Sequence, residues 1–136
     1  MAIYAIGAYY EGDVRDEFIE NRIAGPGWPE KDAPELQQYI ASLKAGDIIY
    51  IKSFPPGSRF IFVKAIGFIS DHLLLTKKTD TKGIVSAGRN VKWVVTEEFK
   101  IRKPKEKNNV RRNTLYEEFH PYVQQAILKK LFSKIG

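Results

Sequence analysis

The sequence contains no cysteine, only two histidines, and no long apolar run. The lack of cysteine excludes a disulfide framework, a thiol nucleophile and a thiolate metal site. With only His72 and His120 present, a metal site built from several histidines is not expected. No stretch approaches the ~20 apolar residues that a membrane span needs, and the N-terminus resembles no signal peptide. We therefore expect a cytoplasmic protein that has no cofactor, no metal and no membrane partner.

Common catalytic patterns are also missing. The short Gly25-Pro26-Gly27 stretch suits neither a dinucleotide-binding loop nor a P-loop, and both histidines lie where a surface or capping role is expected. The acidic residues Asp13, Glu17 and Glu20 share one helical face, opposite the apolar stripe, which is typical of a solvated surface. These absences favour a binding protein over an enzyme.

What the sequence does have is positive charge, unevenly distributed. The 136 residues carry a net charge of +6, with acidic residues concentrated in 11–35 and basic residues in 100–112. A segment as basic as KIRKPKEKNNVRR can neutralise several phosphates, which predicts contact with DNA or RNA, although a loop that only aids solubility is the alternative. The predicted phosphate-binding residues are Lys100, Arg102, Lys103, Lys105, Lys107, Arg111 and Arg112.

The hydrophobic pattern predicts one α+β domain over residues 1–136. Strands are expected at 2–9, 48–54, 59–70, 73–76 and 91–95, with another from Phe99 and a bend or bulge at Gly67. Helices are expected from Asp13 to Gly25-Pro26, from Asp32 and Pro34 onward, and at about 121–134, with a capped turn over 115–119. Clustered strands favour a small mixed or antiparallel β-barrel with flanking helices.

Aromatic residues fall at strand ends and in neighbouring loops, where a small barrel opens its pocket. Aromatic walls suit flat ligands, because ring faces stack on one another. Core packing is the alternative for each of them. The aromatic candidates are Tyr9, Tyr10, Trp28, Phe54 and Trp93.

Two motifs carry a resemblance to a known family. The strands GDIIYIKS (46–53) and VKAIG (63–67) follow a loop that ends in Gly27-Trp28. This order resembles EVE-like members of the PUA superfamily, in particular the small N-terminal domain of McrB-type restriction ATPases. The resemblance covers about the first 95 residues, and the chain has Ala8-Tyr9-Tyr10 where serine and tryptophan are usual.

The resemblance implies a nucleic-acid-binding module that recognises a modified or flipped base in an aromatic cleft, without turnover. YTH readers of 6-methyladenine are relatives of this family. Trp28 would stack on the base, Ser53 would bond the base edge, and any ATPase or nuclease would be a separate partner. The implied pocket residues are Tyr9, Tyr10, Trp28, Lys52, Ser53 and Phe54, to which strand alternation adds Trp93.

Two other functions stay open at this point. The related ASCH branch includes hydrolases of modified nucleosides, and Lys52 resembles their cleft lysine, since burial would lower its pKa toward that of a useful base. No Thr/Glu pair is evident beside it in the sequence. The aromatic cleft could alternatively hold a peptide, in which case binding would not depend on the cations of 100–112.

Overall fold

A seven-stranded mixed sheet is the framework of the protein, whose computed structural model describes residues 1–8, 13–27, 34–104 and 114–135. In these ranges the helices are α1 (Arg15–Asn21), α2 (Pro34–Ser42), α3 (Lys78–Thr81) and α4 (Pro121–Ile135). The strands are β1 (Ile3–Ile6), β2 (Ile23–Ala24), β3 (Ile48–Ser53), β4 (Phe60–Ile69), β5 (Arg89–Val95), β6 (Phe99–Arg102) and β7 (Leu115–Glu117).

The strand order is β2-β5-β4-β3-β1-β7, and β6 also pairs with β4. β1 and β3 run parallel, whereas the other strand pairs are antiparallel. The ten-residue β4 has two partners along one edge, because its first half pairs with β6 and its second half with β5. The sheet curls into a half-barrel, which confirms the expected α+β class with a mixed, barrel-like sheet.

Gly67 lies at an irregularity in the ladder between β4 and β5, as predicted. The register shifts between Ile66 and Gly67, and a Cβ atom at position 67 would lie 2.5 Å from the Lys92 carbonyl oxygen. Glycine is therefore required here because the two backbones approach closely.

The two faces of the sheet bury separate cores. The first core lies on the face covered by α1 and α2, where Phe18 and Ile40 pack against Ile49 and Ile51 of β3. The second core lies on the other face, beneath α4. Its helix residues are Val123, Ile127 and Leu131, which form the apolar stripe of α4. Since successive residues of a strand point to opposite faces, β3 contributes to both cores.

The Gly-Asp pair that opens the GDIIYIKS motif has a structural role in the turn before β3. Gly46 has a φ of +91°, which side-chain-bearing residues rarely adopt. One Asp47 carboxylate oxygen accepts the N–H of Ala2 at 3.1 Å, and the other accepts the N–H of Lys44 at 2.8 Å. The pair thereby fixes the turn and ties it to the start of β1.

The predicted strand at 73–76 is wrong. The segment forms only one isolated bridge, between Leu75 and Gly88, and is not part of a strand. It lies instead beside the buried side chain of Arg89. Burial lowers the pKa of that guanidinium, and nearby Asp71 and Asp47 oppose the shift. Its N–H groups donate to the carbonyls of Asp71, Leu73, Ile40 and Leu43. The start of the segment therefore helps to satisfy a buried cation, and that cation in turn caps the carbonyls at the end of α2.

Two boundaries also differ from the prediction. The first helix ends at Asn21 and not at Gly25-Pro26, because Arg22 adopts a left-handed conformation (φ 56°) and the chain continues as β2. The predicted capped turn at 115–119 is instead β7, whose residues pair with β1. The predicted cap by Asp13 is confirmed in part, since its carboxylate accepts the Arg15 N–H at 2.9 Å.

The C-terminal helix agrees with the prediction, with Pro121 as its first residue. Pro34 likewise opens α2, whereas the predicted cap at Asp32 lies outside the described residues. Within the described ranges, no helix combines the length and apolar character that crossing a bilayer requires.

Candidate nucleic-acid interface

The end of β3 carries part of the predicted base pocket. Lys52 and Ser53 are its last two residues, Phe54 follows them, and all three are half-buried. The fourth described pocket residue, Trp93, lies on β5. The remaining members of the predicted set, Tyr9, Tyr10 and Trp28, lie outside the described residues.

Trp93 belongs to a different part of the molecule from Phe54. Its indole N–H donates to the Phe18 carbonyl at 3.0 Å, and its ring packs against the first core. Phe54 packs against the second core. Val91, two residues before Trp93, also faces the first core, so strand alternation accounts for the placement. Trp93 therefore does not join Lys52 and Phe54 in one pocket, which corrects the prediction.

Lys52 belongs to a group of polar side chains on the second-core side of the sheet. Its ammonium group donates to the Tyr116 hydroxyl and lies 4.6 Å from the Tyr116 ring centre and 5.9 Å from that of Phe54. The Tyr50 hydroxyl donates to a Glu118 carboxylate oxygen at 2.6 Å. Tyr50, Tyr116 and Glu118 are buried. We name Lys52, Tyr116, Tyr50 and Glu118 the polar chain.

Electrostatics keep the Tyr50 hydroxyl protonated. Burial raises its pKa far above the usual value, and the neighbouring Tyr116 and Glu118 add to the shift through charge and hydrogen bonding. Because the hydroxyl stays protonated, it remains the donor in its bond to Glu118. The polar chain thus holds a cation, two phenols and a carboxylate in fixed relation at the end of β3.

Three members of the polar chain, Tyr50, Tyr116 and Glu118, were not predicted from the sequence. Tyr50 and Lys52 are two residues apart on one strand, so a shared face could have been inferred from their spacing. Tyr116 and Glu118 have the same spacing, and they approach Lys52 and Tyr50 because β7 and β3 flank β1. No local sequence pattern predicts this contact, because it depends on pairing between segments that are far apart in the sequence.

A cleft of 390 Å³ opens beside Phe54, and we name it the β3–β6 cleft. Its cationic residues are Arg59, Arg102 and Lys103, and turn residues 57 and 58 with Pro104 complete the lining. The β4–β6 ladder brings these cations together, because the Lys103 N–H donates to the Arg59 carbonyl at 2.9 Å. One cavity thus joins a residue predicted for the base pocket with two residues predicted to bind phosphate.

A second cleft of 310 Å³ lies between β6 and α4, and we name it the β6–α4 cleft. It shares Arg102 with the β3–β6 cleft. The Lys130 ammonium lies 5.2 Å from the centre of the Phe99 ring, and the Lys100 ammonium lies 4.3 Å from that of Phe60. The remaining charged or aromatic lining residues are Tyr122 and Lys129.

The two clefts contain six cations, and among the described residues no acidic side chain lines either cleft or forms an ion pair with these cations. Lys100, Arg102 and Lys103 were predicted to contact phosphate, and all three are exposed. Arg59, Lys129 and Lys130 were missed, because they lie outside the basic segment in sequence. The predicted residues that lie outside the described ranges are Lys105, Lys107, Arg111 and Arg112.

The donor set suits anions better than metal ions. The described ranges contain no group of three or more histidine, aspartate or glutamate residues that could hold a metal ion. Arginine and lysine side chains bordered by aromatic rings can instead bind phosphates next to a flat group. No protein-family model matches the chain, and no curated protein is significantly similar to it.

Proposed function

We propose that the protein binds DNA or RNA through the β3–β6 cleft and accepts a modified or unpaired base beside Phe54. The observation that carries the proposal is the meeting of Phe54 with Arg59, Arg102 and Lys103 in one cleft. Phosphates attract arginine and lysine without regard to sequence, whereas an aromatic side chain offers a stacking surface for a base. The volume of 390 Å³ lies near the lower end of the ~300–1,000 Å³ range of small-molecule sites.

The polar chain would supply the specific part of recognition. Lys52 and Phe54 lie close together at the end of β3, where the Lys52 ammonium is 5.9 Å from the centre of the Phe54 ring. A base that stacks on Phe54 would come within reach of the Lys52 ammonium, which can donate to acceptors on the base edge. Binding alone would be the outcome, with no chemical change to the base.

We further propose that the half-barrel is a PUA-like fold of the EVE type. Support comes from the two motifs that carry the resemblance, because GDIIYIKS forms β3 with its preceding turn and VKAIG lies in β4. The two strands pair antiparallel, with Tyr50 opposite Ile66 and Ile51 opposite Ala65. The motifs that define the resemblance are therefore neighbours in the centre of the sheet.

Fluorescence anisotropy with labelled oligonucleotides tests the binding proposal. The ligands are single strands of DNA and RNA, with and without 6-methyladenine, at several salt concentrations. We expect saturable binding that weakens as salt rises. Phe54→Ala should remove any preference for the modified base while retaining phosphate-driven affinity.

Lys44→Ala is the matched control for loss of charge, because Lys44 is exposed and borders neither cleft. The double variant Arg59→Ala/Lys103→Ala should lose more than twice as much binding affinity as Lys44→Ala loses. If no oligonucleotide binds at low salt, the proposed function is wrong. If the double variant binds like the wild type, the β3–β6 cleft is not the binding site.

The polar chain favours a second candidate function, hydrolysis of a modified nucleoside. Lys52 bonds to Tyr116, Tyr116 to Tyr50 and Tyr50 to Glu118, and such a series of hydrogen-bonded groups can move a proton. In its neutral amine form Lys52 would take the proton from an attacking water, whose oxygen bonds to the carbon of the modifying group while the bond from that carbon to the base nitrogen breaks, and the nitrogen would leave with that proton. Glu118 would act through Tyr50 as a positioning residue.

Incubation with N-acylated and N-alkylated nucleosides, followed by chromatography, distinguishes the candidates. Hydrolysis predicts a new acid, amine or alcohol that appears in proportion to enzyme concentration and disappears with Lys52→Met. A binding module predicts no product with either protein. Retained turnover in Lys52→Met would remove the lysine from the chemistry.

A further inference from the structure

The β6–α4 cleft lies beyond the proposed base site and has the chemistry of a second nucleic-acid subsite. It begins at Arg102, which also borders the β3–β6 cleft, so the two clefts adjoin at the end of β6. In the described ranges β6 pairs only with β4, so its other edge is open toward α4. A nucleic-acid strand bound in the β3–β6 cleft could therefore continue directly into the β6–α4 cleft.

Among the described residues the cations of this cleft form no direct ion pair, and Glu97 interacts with Lys130 only at longer range. Lys130 lies over the ring of Phe99 and Lys100 over that of Phe60. Cation–π contacts orient an ammonium group and leave its charge uncompensated. Lys129 is exposed beside them, so four cations line this cleft once Arg102 is included. Such a surface complements a polyanion.

Tyr122 gives the cleft a flat apolar surface near these cations. It lies in the first turn of α4 and its side chain is 49% exposed, whereas the stripe residues of the same helix are fully buried. An exposed aromatic side chain beside several cations is the arrangement by which proteins stack the bases of single strands. In a duplex the base faces are already stacked on one another and cannot contact such a ring.

We propose that single-stranded nucleic acid continues from the β3–β6 cleft into the β6–α4 cleft, where Tyr122 stacks on a base and Lys100, Lys129 and Lys130 contact phosphates. This inference rests on the proposed function and adds the strandedness of the ligand and a second subsite. Charge complementarity favours a polyanion over a neutral peptide, and stacking distinguishes a nucleic acid from an acidic polypeptide.

The test compares Tyr122→Ala with Tyr122→Phe, with Phe132→Ala as control. Phe132 is exposed on the same helix and borders neither cleft. The probes are labelled 12-nucleotide single strands, the same sequence as a duplex, and poly-glutamate as competitor. Thermal unfolding of each variant verifies that its fold is intact.

We expect Tyr122→Ala to weaken single-strand binding about 5- to 150-fold, the effect of losing one stacked base. Tyr122→Phe should bind within about twofold of the wild type because the stacking face remains, and Phe132→Ala should do the same. The single strand should bind more tightly than the duplex, and poly-glutamate should compete poorly.

Several outcomes would overturn the inference. Unchanged binding by Tyr122→Ala, together with weaker binding by the Arg59 and Lys103 double variant, would keep the proposed function and remove the second subsite. Equal affinity for duplex and single strand, or strong competition by poly-glutamate, would also refute it. Absence of binding to all oligonucleotides at low salt would instead refute the proposed function itself.

Discussion

Arg102 provides the sharpest test of the electrostatic model because it borders both clefts. Its replacement by alanine removes one positive charge at the place where the two proposed subsites meet. Arg102 is exposed and lies at the end of β6, so the substitution leaves both buried cores unchanged. A change in nucleic-acid binding would therefore report on contact and not on folding.

The expected magnitude follows from the number of cations that line the clefts. Each phosphate neutralised on a single strand contributes about −0.7 to the slope of log K against log salt concentration. If all six lining cations contact phosphates, the described residues alone give a slope of about −4. Arg102→Ala should make that slope shallower by about 0.7.

Lys44→Ala separates a phosphate contact from a general effect of charge. Both variants lower the net charge by one unit from +6, but Lys44 lies in the turn before β3, away from the clefts. Anisotropy titrations at four salt concentrations between ~50 and ~200 mM measure the slope for each variant. If both variants change the slope equally, or if neither does, the assignment of Arg102 to a phosphate contact is refuted.

Two further predictions concern stability. Gly67→Ala should destabilise the fold by ~1–3 kcal/mol in urea unfolding, because the new Cβ would lie 2.5 Å from the Lys92 carbonyl oxygen. Gly7→Ala should change the stability little, because among the described residues beyond its chain neighbours the nearest atom to the new Cβ lies 4.0 Å away. Equal effects of the two substitutions would contradict the close approach at Gly67. Stability should also fall as pH rises above ~10. Burial, and then nearby carboxylates, raise the pKa of Tyr4 in the folded protein to about 12, and burial also raises the pKa of Tyr50. Both tyrosines therefore ionise at a lower pH in the unfolded chain than in the folded one, which favours unfolding. Unfolding at pH 8 and pH 11 should show a smaller loss for Tyr50→Phe than for the wild type, and an equal loss would exclude this linkage.

The elements that the sequence predicted well have a strong local period. The long strand at 60–69 buries residues mainly at a spacing of two, and the helix at 121–135 buries residues at a spacing of four. The irregularity at Gly67 also has a local signal, the glycine itself. β2 and β7 contain only two and three residues, so their pairing with β5 and β1 defines them. No window of sequence that short carries a reliable period.

The predicted strand at 73–76 failed for a different reason. Its leucines suggest burial, yet Leu73 is 61% exposed, and its carbonyl accepts a hydrogen bond from the Arg89 guanidinium. An arginine counted as surface charge in a sequence is here fully buried, and it satisfies carbonyls from two separate segments. A buried charge of this kind needs several partners, and such partners are visible only in three dimensions.

Only part of the candidate site could be predicted from the sequence. Local composition pointed to Lys100, Arg102 and Lys103, and the strand end pointed to Phe54. The contribution of α4 was missed because Lys129 and Lys130 lie in a helix whose apolar stripe suggested only core packing. Tyr116 and Glu118 were missed because a turn was expected where β7 forms.

The motif GDIIYIKS contains two halves with separate roles. Gly46 and Asp47 fix a turn and tie it to β1, so similarity at these positions supports a similar fold and carries no information about a ligand. Lys52 lies at the other end of the same strand, close to Phe54, and its ammonium group donates to the Tyr116 hydroxyl. A chain that shares only the first half should therefore share the half-barrel without the site. The proposed nucleic-acid binding consequently depends on Phe54 and the cations around β6, and not on the motif as a whole.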